Sequence, residues 1–326
     1  MTKLTPGRRG IEKTPGAWLL VVLGALAPCR ESIAEPPITA AAIAPDGKHI
    51  VIGSQSGVEV WSWPELTVGG RLKTDLSHVH DLAFAPDGRT LLAAGGSPGT
   101  SGAVEEWSWP DTKLVRRASD HKDLVYRVAW SPDGSKWASS SADHVCRVHA
   151  TETGKLVAKY EGHSRPVLAI AFLPDGRTVV SAGVDQSLQV WRADTGEHVR
   201  TLDNHIGAVN DLAVRPVLSA DAPPVVVSVG DDRTVRLWQP TIGRLMRFTR
   251  LPTKATAVAW SPAGDRLLVG GADGRLRVFE PDRLESVTQT AGLDGPVYTL
   301  VVAGGEVVIG GAGVRRLSGT APSRIK

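Results

Sequence analysis

Cysteine is nearly missing, with two in 326 residues, Cys29 and Cys146. Two cannot build a disulfide framework, and neither stands at a zinc or haem spacing. An excess of one charge is missing too. The 37 Lys and Arg against 34 Asp and Glu leave a formal +3, too little to point to a nucleic-acid partner. Phe and Tyr are scarce, at 4 and 3, whereas Trp supplies 10 of the 17 aromatics. No Gly-x-Ser-x-Gly elbow, Walker loop, His-Glu-x-x-His helix or Cys-x-x-Cys-His site occurs, which removes the chemistries those motifs serve. What is present, 42% hydrophobic and 22% charged residues, fits a soluble globular chain and excludes a disordered or multi-span membrane protein.

Residues 1–34 read as an export leader. Lys3, Arg8, Arg9 and Lys13 precede an uncharged apolar run at 17–27. As a helix that run would span about 16 Å, roughly half a bilayer core, which suits a signal peptide and not a transmembrane helix. Ser32-Ile33-Ala34 offers small residues for cleavage near Ala34. Lipid anchoring at Cys29 is the lesser alternative, because Pro28 sits where a small residue is expected. Arg8-Arg9 leaves twin-arginine export open beside the general route. Removing the leader takes five basic and two acidic residues from the 37 and 34, leaving 32 of each. The mature chain, from 35 to 326, is expected to be neutral, without a membrane span, periplasmic or extracellular, and monomeric.

The remainder repeats. Pro-Asp-Gly recurs at Pro45, Pro86, Pro132 and Pro174, loosely at Pro262, in an enlarged copy from Pro216 to Pro224, and as a worn copy at Gly304-Gly305. The intervals are 41, 46, 42, 42, 46 and 42 residues. Proline presets φ for a turn and glycine tolerates positive φ. Each turn lies between short alternating runs, as a hairpin requires. A third run ending in an aromatic follows, such as residues 185–191, and then a fourth, more polar one, such as 197–202. Four strands every 40–45 residues or so predict propeller blades, because radial stacking buries both sheet faces and protects the edges.

The polar residues then fall into register. Ser139, Ser181 and Ser228 each precede an Asp by four residues (Asp143, Asp185, Asp232), and each Asp precedes position 149, 191 or 238 by six. With His121, His163 and His205 upstream, these residues resemble the tetrads of the WD-repeat β-propeller family, over about 36–326. The resemblance implies an all-β fold, a single seven-bladed propeller of four-stranded antiparallel blades. It also implies buried His–Ser–Asp–Trp networks completed by Trp191 and Trp238, with His149 replacing Trp in the third. Units one and two keep Trp61 and Trp107 without the His or the Asp, and share Trp-Ser-Trp-Pro. Unit six has Phe279 and no His. The amino-terminal strand that commonly completes the last blade is too short here, so residues 323–326 are expected to supply that outer strand, with blades one and seven closing face to face.

Other residues with chemical potential have blander readings. His78 and His80 share a strand face, but no third metal ligand stands at a fixed spacing, so they are read as rim residues. Cys146 aligns with Leu188, Val235 and Leu276 and reads as an inert core thiol. Asp232 of the Asp231-Asp232 pair belongs to a tetrad. Arg147, Arg192, Arg233, Arg236, Arg275 and Arg277 are expected on a solvated face. No catalytic residue, metal or cofactor is assigned.

The resemblance also implies where a partner binds: on first-strand residues flanking the bulge near the channel. In this chain these are His78, His80, Leu124, Tyr126, Leu168, Asn210, Lys254, Thr256 and Tyr298, beside Pro166, Ala208 and Pro296. The expectation is a non-catalytic, exported scaffold for another protein. A propeller enzyme or small-ligand (glycan) binder working in the channel, and a cytosolic assembly factor, stand as alternatives.

Overall fold

The computed structural model describes residues 36–216, 222–290, 292–303 and 305–318. The leader at 1–34 and the expected outer strand at 323–326 lie outside them. Every regular element described is a strand.

The turns show why the repeat folds as it does. In the first four copies the Asp carboxylate accepts the amide of the residue two on, as in Lys48 N to Asp46 Oδ1 at 2.7 Å and Arg177 N to Asp175 Oδ1 at 3.0 Å. The glycine amide closes the turn on the residue three back, as in Gly176 N to Leu173 O at 3.0 Å, with Gly176 at φ +62°. Asp thus holds the hairpin from its side chain while Gly takes the left-handed position.

Each turn joins the first two strands of an antiparallel sheet whose strands pair in sequence order. Blade four runs Val167–Phe172, Thr178–Gly183, Leu188–Arg192 and His198–Leu202. Seven blades follow, at 40–72, 78–121, 125–160, 167–202, 209–250, 255–290 and 299–318, six with four strands and the seventh with three among the described residues. First strands of successive blades lie side by side around the ring, and blade seven meets blade one.

The core lies between blades. On the second strand of blade four Val179 packs toward blade three, with Ala138 and Val148, whereas Val180 packs toward blade five, with Val209 and Val226. Period-two alternation here serves two apolar faces, so this second strand is buried along its whole length. Fourth strands face solvent, leaving Val68, Leu114 and Phe248 exposed. The ring closes through Ala41, Ile50, Ile52 and Val308, and Ile38 N donates to Gly311 O at 2.7 Å.

Candidate functional site

Three histidines are built into blade interiors. In blade four Trp191 Nε1–H donates to Ser181 Oγ at 3.1 Å, and that oxygen lies 2.8 Å from His163 Nε2. His163 Nδ1 lies 2.8 Å from Asp185 Oδ2. Trp gives to Ser, Nε2 bonds with the Ser hydroxyl and Nδ1 with the carboxylate, so both ring nitrogens are satisfied. Blade five repeats this with His205–Asp232 at 2.8 Å, His205–Ser228 at 2.7 Å and Trp238–Ser228 at 2.8 Å. Blade three has His121–Asp143 at 3.0 Å and His121–Ser139 at 2.8 Å. There His149 stands in the Trp place, stacks on Trp137 at 4.2 Å and reaches Asp120 at 3.2 Å. Burial acts to raise the pKa of Asp143, Asp185 and Asp232, but hydrogen bonds from the histidine and neighbouring groups overcome it and hold each below the usual carboxylate range. Burial lowers the pKa of His121 despite Asp143. These groups are mutually engaged inside the sheet stack. Cys146 is buried, and burial pushes its thiol up to about 12.

The solvated-face reading of the arginines needs correction. Arg192, Arg233 and Arg275 are exposed, but Arg147, Arg236 and Arg277 are buried. Each sits four residues after a turn Asp and pairs with it: Arg147–Asp143 at 3.0 Å, Arg236–Asp232 at 3.4 Å and Arg277–Asp273 at 2.6 Å. The recurring Asp-x-x-x-Arg was the available signal. Blades one and two solve the same problem differently. Trp61 Nε1–H donates to Glu59 at 2.8 Å and Trp107 Nε1–H to Glu105 at 3.2 Å. Arg71 and Arg117, each twelve residues on, pair with those carboxylates. An acid two residues before the Trp replaces the His–Ser–Asp network.

Around the channel, His80, Tyr126, Leu168, Asn210 and Thr256 stand where first-strand pairing slips by one residue, so each occupies a bulge. A bulge re-aims its side chain out of the ladder. Several candidates turn inward. Asn210 Nδ2–H donates to Ala255 O at 2.8 Å and Thr256 Oγ1–H to Val297 O at 2.5 Å, lacing one blade to the next. Thr39, missed in the sequence, does the same for Val79 O. Lys254 pairs with Asp231 at 2.7 Å, and Leu124 is buried.

His78, His80 and Tyr126 come together. The two imidazoles stack at 6.5 Å, and His80 meets Tyr126 edge to face at 5.2 Å. Burial, then His78, pushes the pKa of His80 down to about 4. Its Nε2 has no hydrogen-bond partner among the described residues. Leu168 is half-buried and Tyr298, on blade seven, is exposed. No three His, Cys, Asp or Glu side chains converge among the described residues in a way that could hold a metal.

Deeper in the ring, Arg127 of blade three pairs with Asp81 of blade two at 3.4 Å and, past blade four, with Asp211 of blade five. Blade four leaves room with Ala169 at the equivalent position. Both acids also hold the next blade, accepting Val128 N and Val258 N at 2.9 Å each. The sequence carried this as a matched pair of segments, Val79-His80-Asp81-Leu82-Ala83 and Val209-Asn210-Asp211-Leu212-Ala213.

The comparisons agree with this geometry. The WD40 family (WD domain, G-beta repeat) matches at 112–149, 154–192, 196–239 and 249–280, segments that together run from the fourth strand of blade two to the third strand of blade six. The chain is a WD-repeat β-propeller protein. A similar protein is the WD repeat-containing protein VIP3 of Arabidopsis thaliana, 32% identical over 91 residues, or 24% of this chain and 28% of that relative. The chain thus covers about a quarter of that relative's length. WD-repeat propellers are typically non-catalytic interaction scaffolds. The four matched segments include all three tetrads, while blades one and seven and the first three strands of blade two fall outside the match. No described helix is long and apolar enough to cross a membrane.

Proposed function

We propose that this WD-repeat propeller is a non-catalytic, exported platform that grips another protein with the His78–His80–Tyr126 cluster. One observation carries the reading. Two histidines and a tyrosine from adjacent blades stack at the channel mouth, one with a ring nitrogen lacking a partner among the described residues. A partly desolvated aromatic group with a spare polar atom is the kind of anchor on which interface energy concentrates. Tyr298 extends the surface on blade seven, and its exposure of 42% leaves ring area for a partner to cover. Catalysis in the channel is disfavoured because the charged groups there, Arg127, Asp81 and Asp211, are paired with one another.

Export rests on the basic residues, apolar run and small-residue site of the leader. Recovery of a cell-envelope or secreted form beginning at Glu35 supports it; a cytosolic form retaining Met1 or Thr2 overturns it. For the platform, Tyr126→Asp combined with Tyr298→Asp is expected to leave the thermal melt unchanged and to abolish retention of a protein that the wild type retains. Equal retention by the folded double variant removes the assignment.

A further inference from the structure

The face bearing the Pro-Asp-Gly turns has a repeated contact between neighbouring blades. A Cβ placed on Gly88 would meet Pro45 at 2.8 Å, one on Gly134 would meet Pro86 at 3.6 Å, and one on Gly176 would meet Pro132 at 3.7 Å. The proline of each turn thus lies against the glycine of the next. At Gly47 of blade one, no described residue lies within 4 Å of such a Cβ. The reason is in blade seven. Its register pairs Ala303 with Glu306, so two residues stand where blade one has Pro45-Asp46-Gly47-Lys48 between Ala44 and His49.

The Trp-Ser-Trp-Pro duplication reports on the same junction. In blade two, Trp109 is covered by the blade-one turn: its Nε1–H donates to Asp46 Oδ2 at 3.3 Å, and the His49 ring meets it edge to face at 5.7 Å. In blade one the matching residue is Trp63, and the blade-seven turn that should cover it has neither the proline nor the acid. Arg316 lies over the Trp63 ring at 6.0 Å. Trp63 has this cation contact where Trp109 has the carboxylate of Asp46. The result is an open cavity of about 600 Å³ at the blade seven–blade one junction, lined by Ile43, Gly47, Trp63, Ala303, Glu306 and Arg316 among others.

We propose that this cavity is a second docking site, which takes a Pro-Asp turn presented by a partner protein. The molecule supplies the template: the proline seats against Gly47 as Pro45 does against Gly88, and the Asp carboxylate accepts the Trp63 indole N–H as Asp46 accepts that of Trp109. Arg316 gives the carboxylate a cation at the cavity wall, 3.8 Å from Glu306. The site lies away from the His78–His80–Tyr126 surface and does not depend on it.

A cyclic peptide containing Ala-Pro-Asp-Gly-Lys-His is the probe. On titration into 15N-labelled protein, one indole N–H resonance, identified by its loss in Trp63→Phe, is expected to shift downfield and saturate. Trp63→Phe keeps an aromatic ring, though a smaller one, and removes the donor, and is expected to weaken binding at least about tenfold, the worth of one hydrogen bond to a charged group. Peptides with Asn for Asp, or Ala for Pro, are expected to lose a similar factor. Replacing Gly304-Gly305 by Pro-Asp-Gly-Lys fills the cavity from within, and is expected to abolish peptide binding and raise the melting temperature. An unmoved Trp63 resonance at saturating probe, or undiminished binding by the filled variant, overturns the proposal. Dimerisation that Trp63→Phe abolishes also overturns it, by making a second copy the occupant.

Discussion

In blades three to five Ser and Asp give both ring nitrogens of a buried histidine a partner, which offsets the cost of burying them. Asp185→Ala leaves His163 Nδ1 orphaned in the sheet stack and is expected to cost roughly 1–3 kcal/mol, read from urea unfolding; an unchanged midpoint would remove the tetrad from the stability account. The pH dependence follows from the same groups. His80 and His121 have lowered pKa values in the fold, so the unfolded chain binds protons first as pH drops below about 6.5, and stability declines from there toward pH 4. Asp143, Asp185 and Asp232 are also lowered; their contribution is complete above about pH 4 and is lost as pH falls through the folded values. Unfolding measured from pH 7 to 3 is expected to show a shallow decline followed by a steep one, with the shallow part reduced in His80→Gln. Flat stability between pH 7 and 5 would contradict this. The Ser-to-Asp and Asp-to-aromatic spacings were legible because three copies kept both. The buried arginines were not, since a charged side chain on a third strand reads as solvated until its turn Asp is seen folding back over it.

At the scale of the strand and turn, the chain announces itself most clearly. Pro presets φ, Asp caps the amide two residues on, and Gly takes the left-handed position, so the turn is encoded locally and its recurrence marks the blades. The bulges are another matter. They arise from a slip between first and second strands, which no local composition signals, and they decide where each side chain points. That is why Asn210 and Thr256, reasonable docking residues by position, instead bond to carbonyls of the next blade. It is also why His80 and Tyr126, at the same position in adjacent blades, end in contact. The face-to-face contact of blades one and seven is a short apolar cluster with a backbone bond from Ile38, and the shortened turn of blade seven leaves the opening beside Trp63.

For the whole molecule, ring geometry depends on contacts between residues far apart in sequence. Arg127 links blades two, three and five through Asp81 and Asp211; the matched segments mark the two acids in the sequence, but only the closed ring brings Arg127 between them. Arg127→Met strands two buried carboxylates and is expected to cost about 3 kcal/mol, while adding Asp81→Asn and Asp211→Asn is expected to recover much of it. Additive losses in the triple variant would show that the three residues act separately. The central claim is that a protein partner covers the His78–His80–Tyr126 surface. The most direct measurement places a photo-crosslinking amino acid at Tyr126, and at Val287 on the exposed fourth strand of blade six, and irradiates the native host cells. The account predicts a discrete protein adduct from position 126 and none from 287. No adduct at 126 from folded protein, or the same adducts from both positions, would contradict it.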